Sequence, residues 1–156
     1  MEVTQGVGSM DEAEVKEMFE SRKVGILCLE DGDKPYGVPL EHYFDGKNLY
    51  FATSLKHGYR KMDCIRNNGN ACYIICDSRR DNPDLASKGI RCRSVIAEGR
   101  VTAAAVRELQ DKSIGTVQLQ ILKLEIDRIG NWKCPRKACL GHAPWFERYP
   151  ELIKCI

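Results

Sequence analysis

Short runs of apolar residues, separated by turn signals, divide most of the chain into predicted strands. These runs cover residues 23–30, 36–44, 47–53, 71–77, 90–102 and 117–129. Their lengths and flanking Gly, Pro, Asn and Asp residues are typical of strands. The pair Asp45-Gly46 lies between the second and third runs and predicts a hairpin turn. The pattern therefore predicts a mainly β fold with short helices, a six-stranded antiparallel barrel whose closure removes exposed sheet edges.

Three segments show features of short helices. Ser9 and Glu12 fit a capping box that would start a helix ending near Arg22. The segment 59–68 has apolar residues at helical spacing and ends at an Asn-Gly pair, a common stop signal. The alanine-rich segment 103–113 is predicted as a third short helix.

Three irregular features interrupt these patterns. Pro39 lies within the second strand and cannot donate to a ladder, which predicts an edge, a bulge or an opening there. The apolar alternation of the last strand changes face between Ile121 and Leu122, which predicts a β-bulge or a sharp bend. The polar segment 77–89 has no clear period and is predicted as a long loop.

The length of 156 residues favours one domain, which we expect over residues 10–130. An irregular C-terminal tail, residues 131–156, is expected to pack on the same domain. The net charge of +2 gives no reason to expect nucleic acid. No apolar run is long enough for a membrane span, and no export signal is evident. We therefore expect a cytoplasmic protein.

Eight cysteines would be mostly reduced thiols in a cytoplasmic protein. Cys134 and Cys139 precede His142, and this group could suggest a metal site. Zinc sites usually join one close pair of cysteines to a second pair of ligands, but here the C-x4-C pair has no evident fourth ligand, and Cys155 is the only nearby candidate. We predict no metal, with a small metal site or a redox pair as the alternative.

The segment TSLKHGYRKMD, residues 53–63, concentrates hydroxyls and cations where a strand gives way to a helix. Helix starts offer unpaired N–H groups and partial positive charge, which favour phosphate. Gly58 would permit close approach of the backbone. Without a Walker or dinucleotide motif, the composition alone favours a solvated cationic helix start that binds nothing.

Two longer stretches bring in a family resemblance. Residues 35–77 combine P-Y-G-V-P, D-G-K-N-L-Y-F, the hydroxyl-rich turn with its basic pair, and a helix leading to the N-x-x-x-C-x pattern N-G-N-A-C-Y. Residues 91–101 read RCRSVIAEGRV. Both resemble the pyridoxamine 5′-phosphate oxidase-related FMN-binding split-barrel proteins, and most closely the Nim branch, named for 5-nitroimidazole resistance. The resemblance implies a split β-barrel homodimer with FMN at the interface, acting as a flavin-dependent oxidoreductase on a small-molecule substrate.

The resemblance also implies cofactor-binding positions. The group near the FMN phosphate would be Thr53, Ser54, Leu55, Arg60 and Lys61. The segment lining the flavin ring, largely through backbone groups, would be Val38, Pro39, Leu40 and Glu41. Arg93 and Ser94 would approach the flavin or the dimer contact.

No catalytic residue, substrate or electron donor is assigned. Nim proteins often carry a histidine after L-Y-F, where this chain has Ala52 and Thr53. His57 could serve instead, or could be a solvated side chain. His42 could titrate beside the flavin, although a strand histidine without a catalytic role is equally consistent. The alternatives to an enzyme are a non-catalytic flavin carrier or sensor, or a member of the superfamily that binds haem or a deazaflavin.

Overall fold

A computed structural model describes residues 2–3, 8–56, 59–134 and 145–153. The strands in these ranges are β1 (Glu2–Val3), β2 (Val24–Asp31), β3 (Lys34–Phe44), β4 (Asn48–Ser54), β5 (Asn70–Ser78), β6 (Cys92–Asp111) and β7 (Gly115–Cys134). The helices are α1 (Glu12–Ser21), α2 (Tyr59–Asn67) and α3 (Trp145–Arg148), with 3-10 turns at Pro83–Ala86 and Pro150–Ile153. No helix among them has the length and apolar character needed to cross a membrane.

Six strands form a closed antiparallel barrel. Their spatial order is β7-β4-β3-β2-β5-β6, and β6 pairs with β7 to close the ring. The short β1 adds to β7 in parallel, outside this ring. Alternation along each strand turns one set of side chains inward, and the largest buried ones include Tyr73, Phe51 and Leu122. The predicted mainly β, six-stranded split barrel is confirmed.

Helix α1 packs its apolar face on this core through Val15, Met18 and Phe19. Its capping box differs from the predicted one. Asp11, not Ser9, is the N-cap: its carboxylate accepts from the Glu14 N–H at 2.8 Å, while the Glu14 carboxylate accepts from the Asp11 N–H at 2.9 Å. The box is therefore shifted by two residues, since Asp and Ser are both good N-caps and Glu occurs in both registers.

The predicted helix over 103–113 is wrong, because residues 103–111 continue β6 and residues 112–113 lie in the turn that follows. Strand β6 pairs with β7 as far as the Asp111–Gly115 pair, and Gly115 supplies the positive φ of +78° at the turn. Three alanines favour a helix only weakly, and a continuous cross-strand ladder overrides that propensity. The predicted tail is also too long at its start, since residues 131–134 continue β7.

The bulge expected near Ile121 and Leu122 lies on the partner strand. Ala103 pairs with Leu122 and Ala105 with Ile121, so Ala104 is the extra residue in β6. Strand β7 itself keeps its alternation there. Its Ile121 is half-buried on the outside while its neighbour Leu122 is fully buried inside. Apolar residues occur on both faces of β7, because its outer face is itself apolar around Ile121. In the sequence, this looks like a change of face between Ile121 and Leu122.

Beyond the end of β4, which pairs with β7 as far as Leu119, the ends of β6 and β7 continue as a two-stranded extension, residues 108–118, which we call the arm. One face of the arm is apolar: it carries the opposed pair Leu109–Val117 and continues into Leu119 and Ile121 of the barrel wall. The other face carries mainly Gln and Glu. Leu109 is 41% exposed, so this apolar face has no cover within the described part of the chain.

Candidate functional site

The start of α2 places a cation against the end of β4. Thr53 is the last inward-facing residue of β4, and Lys61 lies in the first turns of α2. The Lys61 Nζ donates to the Thr53 hydroxyl at 2.6 Å. Both residues are buried, at 8% and 6% exposure. The pKa of Lys61 is lowered, because burial disfavours its charged form.

No carboxylate pairs with Lys61 among the described residues. Buried charges in proteins are normally paired or bound to a ligand, because desolvation without compensation is costly. The Thr53 hydroxyl accepts one of the three N–H donors of the Lys61 ammonium, but as a neutral group it does not balance the positive charge. This corner of the barrel therefore has an unbalanced buried cation, which favours an anion.

Ser54 and Leu55 continue the same corner toward the arm. The Leu55 N–H donates to the Gln118 carbonyl at 3.3 Å, and the Lys56 N–H donates to the Ser54 hydroxyl at 3.2 Å. A groove of about 470 Å³ is lined by Ser54, Leu55, Lys56, Ile114, Thr116, Val117 and Gln118. The predicted phosphate segment and the arm thus share one concave surface. The predictions for His57 and Gly58 lie outside the described residues.

Arg60 faces a different neighbour from Lys61. Its Nε donates to the Asp31 carboxylate at 2.8 Å, and its guanidinium lies over the Tyr36 ring, 4.3 Å from the centroid. The side chains of Arg60 and Asp31 are 57% and 43% exposed, so the pair is weak. The structure therefore brings Thr53 and Lys61 together. Arg60 lies next to Lys61 on the helix, and its weak ion pair with Asp31 could be replaced by a contact with a ligand.

Within the described residues, strand β3 presents an unpaired backbone edge at the predicted ring-binding segment. Strand β3 pairs with β4 only over His42–Phe44, although it pairs with β2 along its whole first part. The His42 N–H donates to the Lys23 carbonyl on the β2 side. Alternate residues of an antiparallel strand direct their backbone groups to opposite edges, so the groups of Gly37, Pro39 and Glu41 point to the edge that β4 leaves open.

This opening explains Pro39, which lacks an N–H at a position where no strand partner requires one. It confirms the opening predicted at Pro39. The side chains of Val38 and Leu40 pack against the core, whereas those of Pro39 and Glu41 are exposed. A flat ligand at this edge would meet backbone groups of β3 together with the outward side chains.

Arg93 and Ser94 point to opposite faces of β6. Arg93 is buried, and its guanidinium donates to the Asp77 carboxylate at 3.2 Å and to the Glu17 carboxylate. The pKa of Glu17 is lowered, chiefly by the hydrogen bond from Arg93. Ser94 is half-buried on the outer face, opposite Cys76 on β5. Arg93 is thus bound within an ion network and is not part of the Thr53–Lys61 corner.

His42 lies in the barrel interior and on the opposite face from the exposed Glu41, as the alternation predicts. Its Nε2 donates to the Phe19 carbonyl at 2.9 Å, and its Nδ1 lies 2.9 Å from the Tyr73 hydroxyl. The pKa of His42 is lowered, mainly by burial, so the ring is neutral at neutral pH. The arrangement is that of a core residue, and the sign in the sequence was its alternation with Leu40 and Phe44, which lie on the same face of the strand.

The described residues contain no cluster of His, Cys, Asp and Glu suited to a metal ion. Of the tail group considered as a metal or redox site, Cys134 is buried opposite Cys92 at the end of β7. Cys139, His142 and Cys155 lie outside the described residues.

Comparison with solved structures identifies the same architecture in several proteins. An FAD-binding protein from Mesorhizobium loti is 17% identical with a TM-score of 0.54, over 80% of this chain and 94% of that one. An FAD-binding protein from Mycobacterium smegmatis is 14% identical with a TM-score of 0.56, over 82% and 98%. A proposed 5-nitroimidazole antibiotic resistance protein from Bacteroides thetaiotaomicron is 12% identical with a TM-score of 0.57, over 81% and 88%. At these identities the likeness concerns the fold.

No curated protein matches the sequence. The family model described as pyridoxamine 5′-phosphate oxidase matches residues 11–129, which span the barrel from α1 to β7 and include the Thr53–Lys61 corner. The chain belongs to the pyridoxamine 5′-phosphate oxidase family.

Proposed function

We propose that the chain binds FMN, with its phosphate at the Thr53–Lys61 corner, and acts as a flavin-dependent oxidoreductase. The observation that carries the proposal is the buried ammonium of Lys61, which has a hydroxyl partner and no carboxylate among the described residues. A phosphate monoester would supply the missing negative charge and accept the remaining donors.

Other groups of the same segment would complete phosphate binding. Ser54 offers a hydroxyl at the end of β4, and Leu55 lies beside it in the groove. Arg60 can exchange its exposed contact with Asp31 for a phosphate oxygen, since its planar fork matches such oxygens well. Of the Arg93–Ser94 pair, the outward-facing Ser94 stays a proposed contact with the flavin or a second subunit, whereas Arg93 is buried in its ion network.

The open edge of β3 would receive the flavin ring. Its backbone groups at Gly37, Pro39 and Glu41 have no strand partner among the described residues, so they can contact a planar ligand. The bound flavin would supply hydride or electron transfer, while the protein supplies position and electrostatics. The described residues give no reason to assign a catalytic side chain.

A second copy of the chain would complete the site. The uncovered apolar face of the arm supports this part of the proposal, because a two-stranded ribbon is only marginally stable alone. The arm also lines the groove beside Ser54 and Leu55, so a contact on the arm would adjoin the phosphate. The homodimer, a cytoplasmic location and a nitroaromatic substrate, as in the Nim branch, belong to the same proposal.

Flavin titration tests the binding step. Purified full-length protein is titrated with FMN, FAD and riboflavin, and binding is followed by flavin fluorescence. Charge-assisted hydrogen bonds contribute about 1.5–3 kcal/mol, so FMN should bind about 10 to 150 times more tightly than riboflavin. Equal affinity for the two would contradict the phosphate site. Tighter binding of FAD than of FMN would contradict the choice of cofactor.

Two further readouts separate the alternatives. The visible spectrum of the protein as purified distinguishes flavin from haem or a deazaflavin. Turnover of a nitroaromatic compound with a reduced nicotinamide as electron donor, dependent on FMN, would support the enzyme. Tight FMN binding without turnover of any such compound would instead favour the flavin carrier or sensor.

A further inference from the structure

Two cysteines lie directly opposite each other on neighbouring strands of the barrel. Cys28 of β2 pairs with Cys72 of β5 in the antiparallel register. Opposed residues of such a pair have Cα atoms about 4.5–5.5 Å apart, within the 4.4–6.8 Å range of disulfides. Their side chains share one face of the sheet, and the Cys28 thiol is close enough to contribute to the raised pKa of Cys72. Little backbone movement would be needed to join them.

The same pair is accessible from solvent. Both thiols are half-buried, and both line an open groove of about 490 Å³ on the outside of the barrel. Other described cysteines combine these features less well. Cys92 lies opposite Cys134, but both are buried. Cys76 is exposed, but it lies opposite Ser94.

We propose that Cys28 and Cys72 are a redox-active dithiol that small-molecule disulfides oxidise to a cross-strand disulfide. The Cys28 sulfur attacks one sulfur of the oxidant, which forms a mixed disulfide and releases one small thiol. The Cys72 sulfur then loses its proton and attacks the Cys28 sulfur, which releases the second small thiol. Two protein thiols thereby lose two electrons and two protons, and one small disulfide becomes two thiols.

The order of attack follows from the surroundings of Cys72. Burial and the neighbouring Cys28 raise the pKa of Cys72 to about 11, so the Cys72 thiol keeps its proton at neutral pH. A mixed disulfide on Cys28 removes the neighbouring thiol that contributes to this shift. Cys72 is then the natural second nucleophile, since only a thiolate attacks.

The groove also selects among oxidants. Glu30, Glu98 and Asp127 line it together with a single cation, Arg128, which pairs with Glu98. Because this lining is net acidic, a cationic disulfide should enter more readily than an anionic one. Cystamine should therefore react about tenfold faster than glutathione disulfide at low ionic strength, and added salt should reduce the difference.

Mass spectrometry of the full-length protein tests the proposal. Reduced protein is exposed to cystamine or glutathione disulfide, and remaining thiols are blocked with N-ethylmaleimide before proteolysis. We expect one peptide in which Cys28 is joined to Cys72 within a single chain. Cys72→Ser should instead retain cysteamine on Cys28. Cys76→Ser, a matched control on the same strand, should form the Cys28–Cys72 linkage as the wild type does.

Oxidation of the wild-type chain alone tests whether Cys28 and Cys72 form the disulfide, so the test does not depend on the folding of a serine variant. If excess oxidant yields only mixed disulfides at these cysteines, or joins them between chains, the proposal is overturned. Equal rates with the two oxidants would overturn the assignment to cationic disulfides. The experiment uses no flavin, so its outcome is independent of the proposed function.

Discussion

Two buried cations of this barrel differ in what surrounds them. Arg93 lies between the carboxylates of Asp77 and Glu17. Lys61 lies against the Thr53 hydroxyl, without a carboxylate among the described residues. Both had been predicted as cofactor-binding positions. Their surroundings indicate that a buried cation with its own counter-charges stabilises the fold, whereas one without them is poised for a ligand.

The Arg93 network is extensive. Asp77 is fully buried; its carboxylate also accepts from the Asn82 amide at 2.8 Å and lies 3.6 Å from the Arg22 guanidinium. The network links α1, β5 and β6, because Glu17, Asp77 and Arg93 come from these three elements. Its loss should therefore affect the whole barrel, while loss of Lys61 should affect mainly what binds.

The largest effect is expected for Arg93→Met. Removing one partner of a buried ion pair leaves Asp77 without its main counter-charge, which costs about 3–5 kcal/mol. The free energy of unfolding, measured by urea denaturation of the flavin-free protein, should fall by about this amount. Arg66→Met is the matched control, because Arg66 pairs with Asp63 in solvent, and its loss should cost at most about 1 kcal/mol. Similar losses for the two variants would contradict the difference drawn between Arg93 and an ordinary surface cation.

The second-largest effect, a loss of selectivity for FMN, is expected for Lys61→Met. This variant removes a buried, unbalanced charge, so the flavin-free protein should be as stable as the wild type or more so. The preference for FMN over riboflavin, about 10 to 150-fold in the wild type, should largely disappear. Fluorescence titration with both ligands measures this preference, and urea denaturation measures the stability.

Lys16→Met is the control for this variant, because Lys16 is an exposed lysine of α1 with a weak contact to Glu20. It should leave both the FMN preference and the free energy of unfolding unchanged. A Lys61→Met protein that is markedly destabilised, yet keeps its FMN preference, would reverse the assignment and make Lys61 a structural cation.

Sequence separation explains which features could be predicted. Thr53 and Lys61 are 8 residues apart, so one strand end and one helix start suffice to bring them together. The Asp-Gly turn at 45–46 is equally local. The barrel was predicted because its alternating strands and turn signals each need only a few neighbouring residues.

The rest depends on contacts between distant segments. Arg93 meets Glu17 across 76 residues and Asp77 across 16, and the ladder from β6 to β7 decides the structure of 103–111. Cys28 and Cys72 are paired only through the register of β2 and β5. The family resemblance placed Arg93 near the flavin, but no pattern in the sequence could show that carboxylates already surround it.

The smallest effect concerns the acid side of the pH–stability profile. The hydrogen bond from Arg93 lowers the pKa of Glu17 below its ordinary value of 4.5. The resulting stabilisation is fully present above pH 4.5 and is lost as the pH falls through the lower pKa of the folded protein. Glu17→Gln should therefore differ most from the wild type near neutral pH, and the difference in urea midpoint should shrink below pH 4.5. Glu20→Gln, which alters an exposed carboxylate of the same helix, should show no such change. A Glu17→Gln difference that stayed constant with pH would mean that Arg93 does not depend on the charge of Glu17, and the contrast with Lys61 would then rest on Asp77 alone.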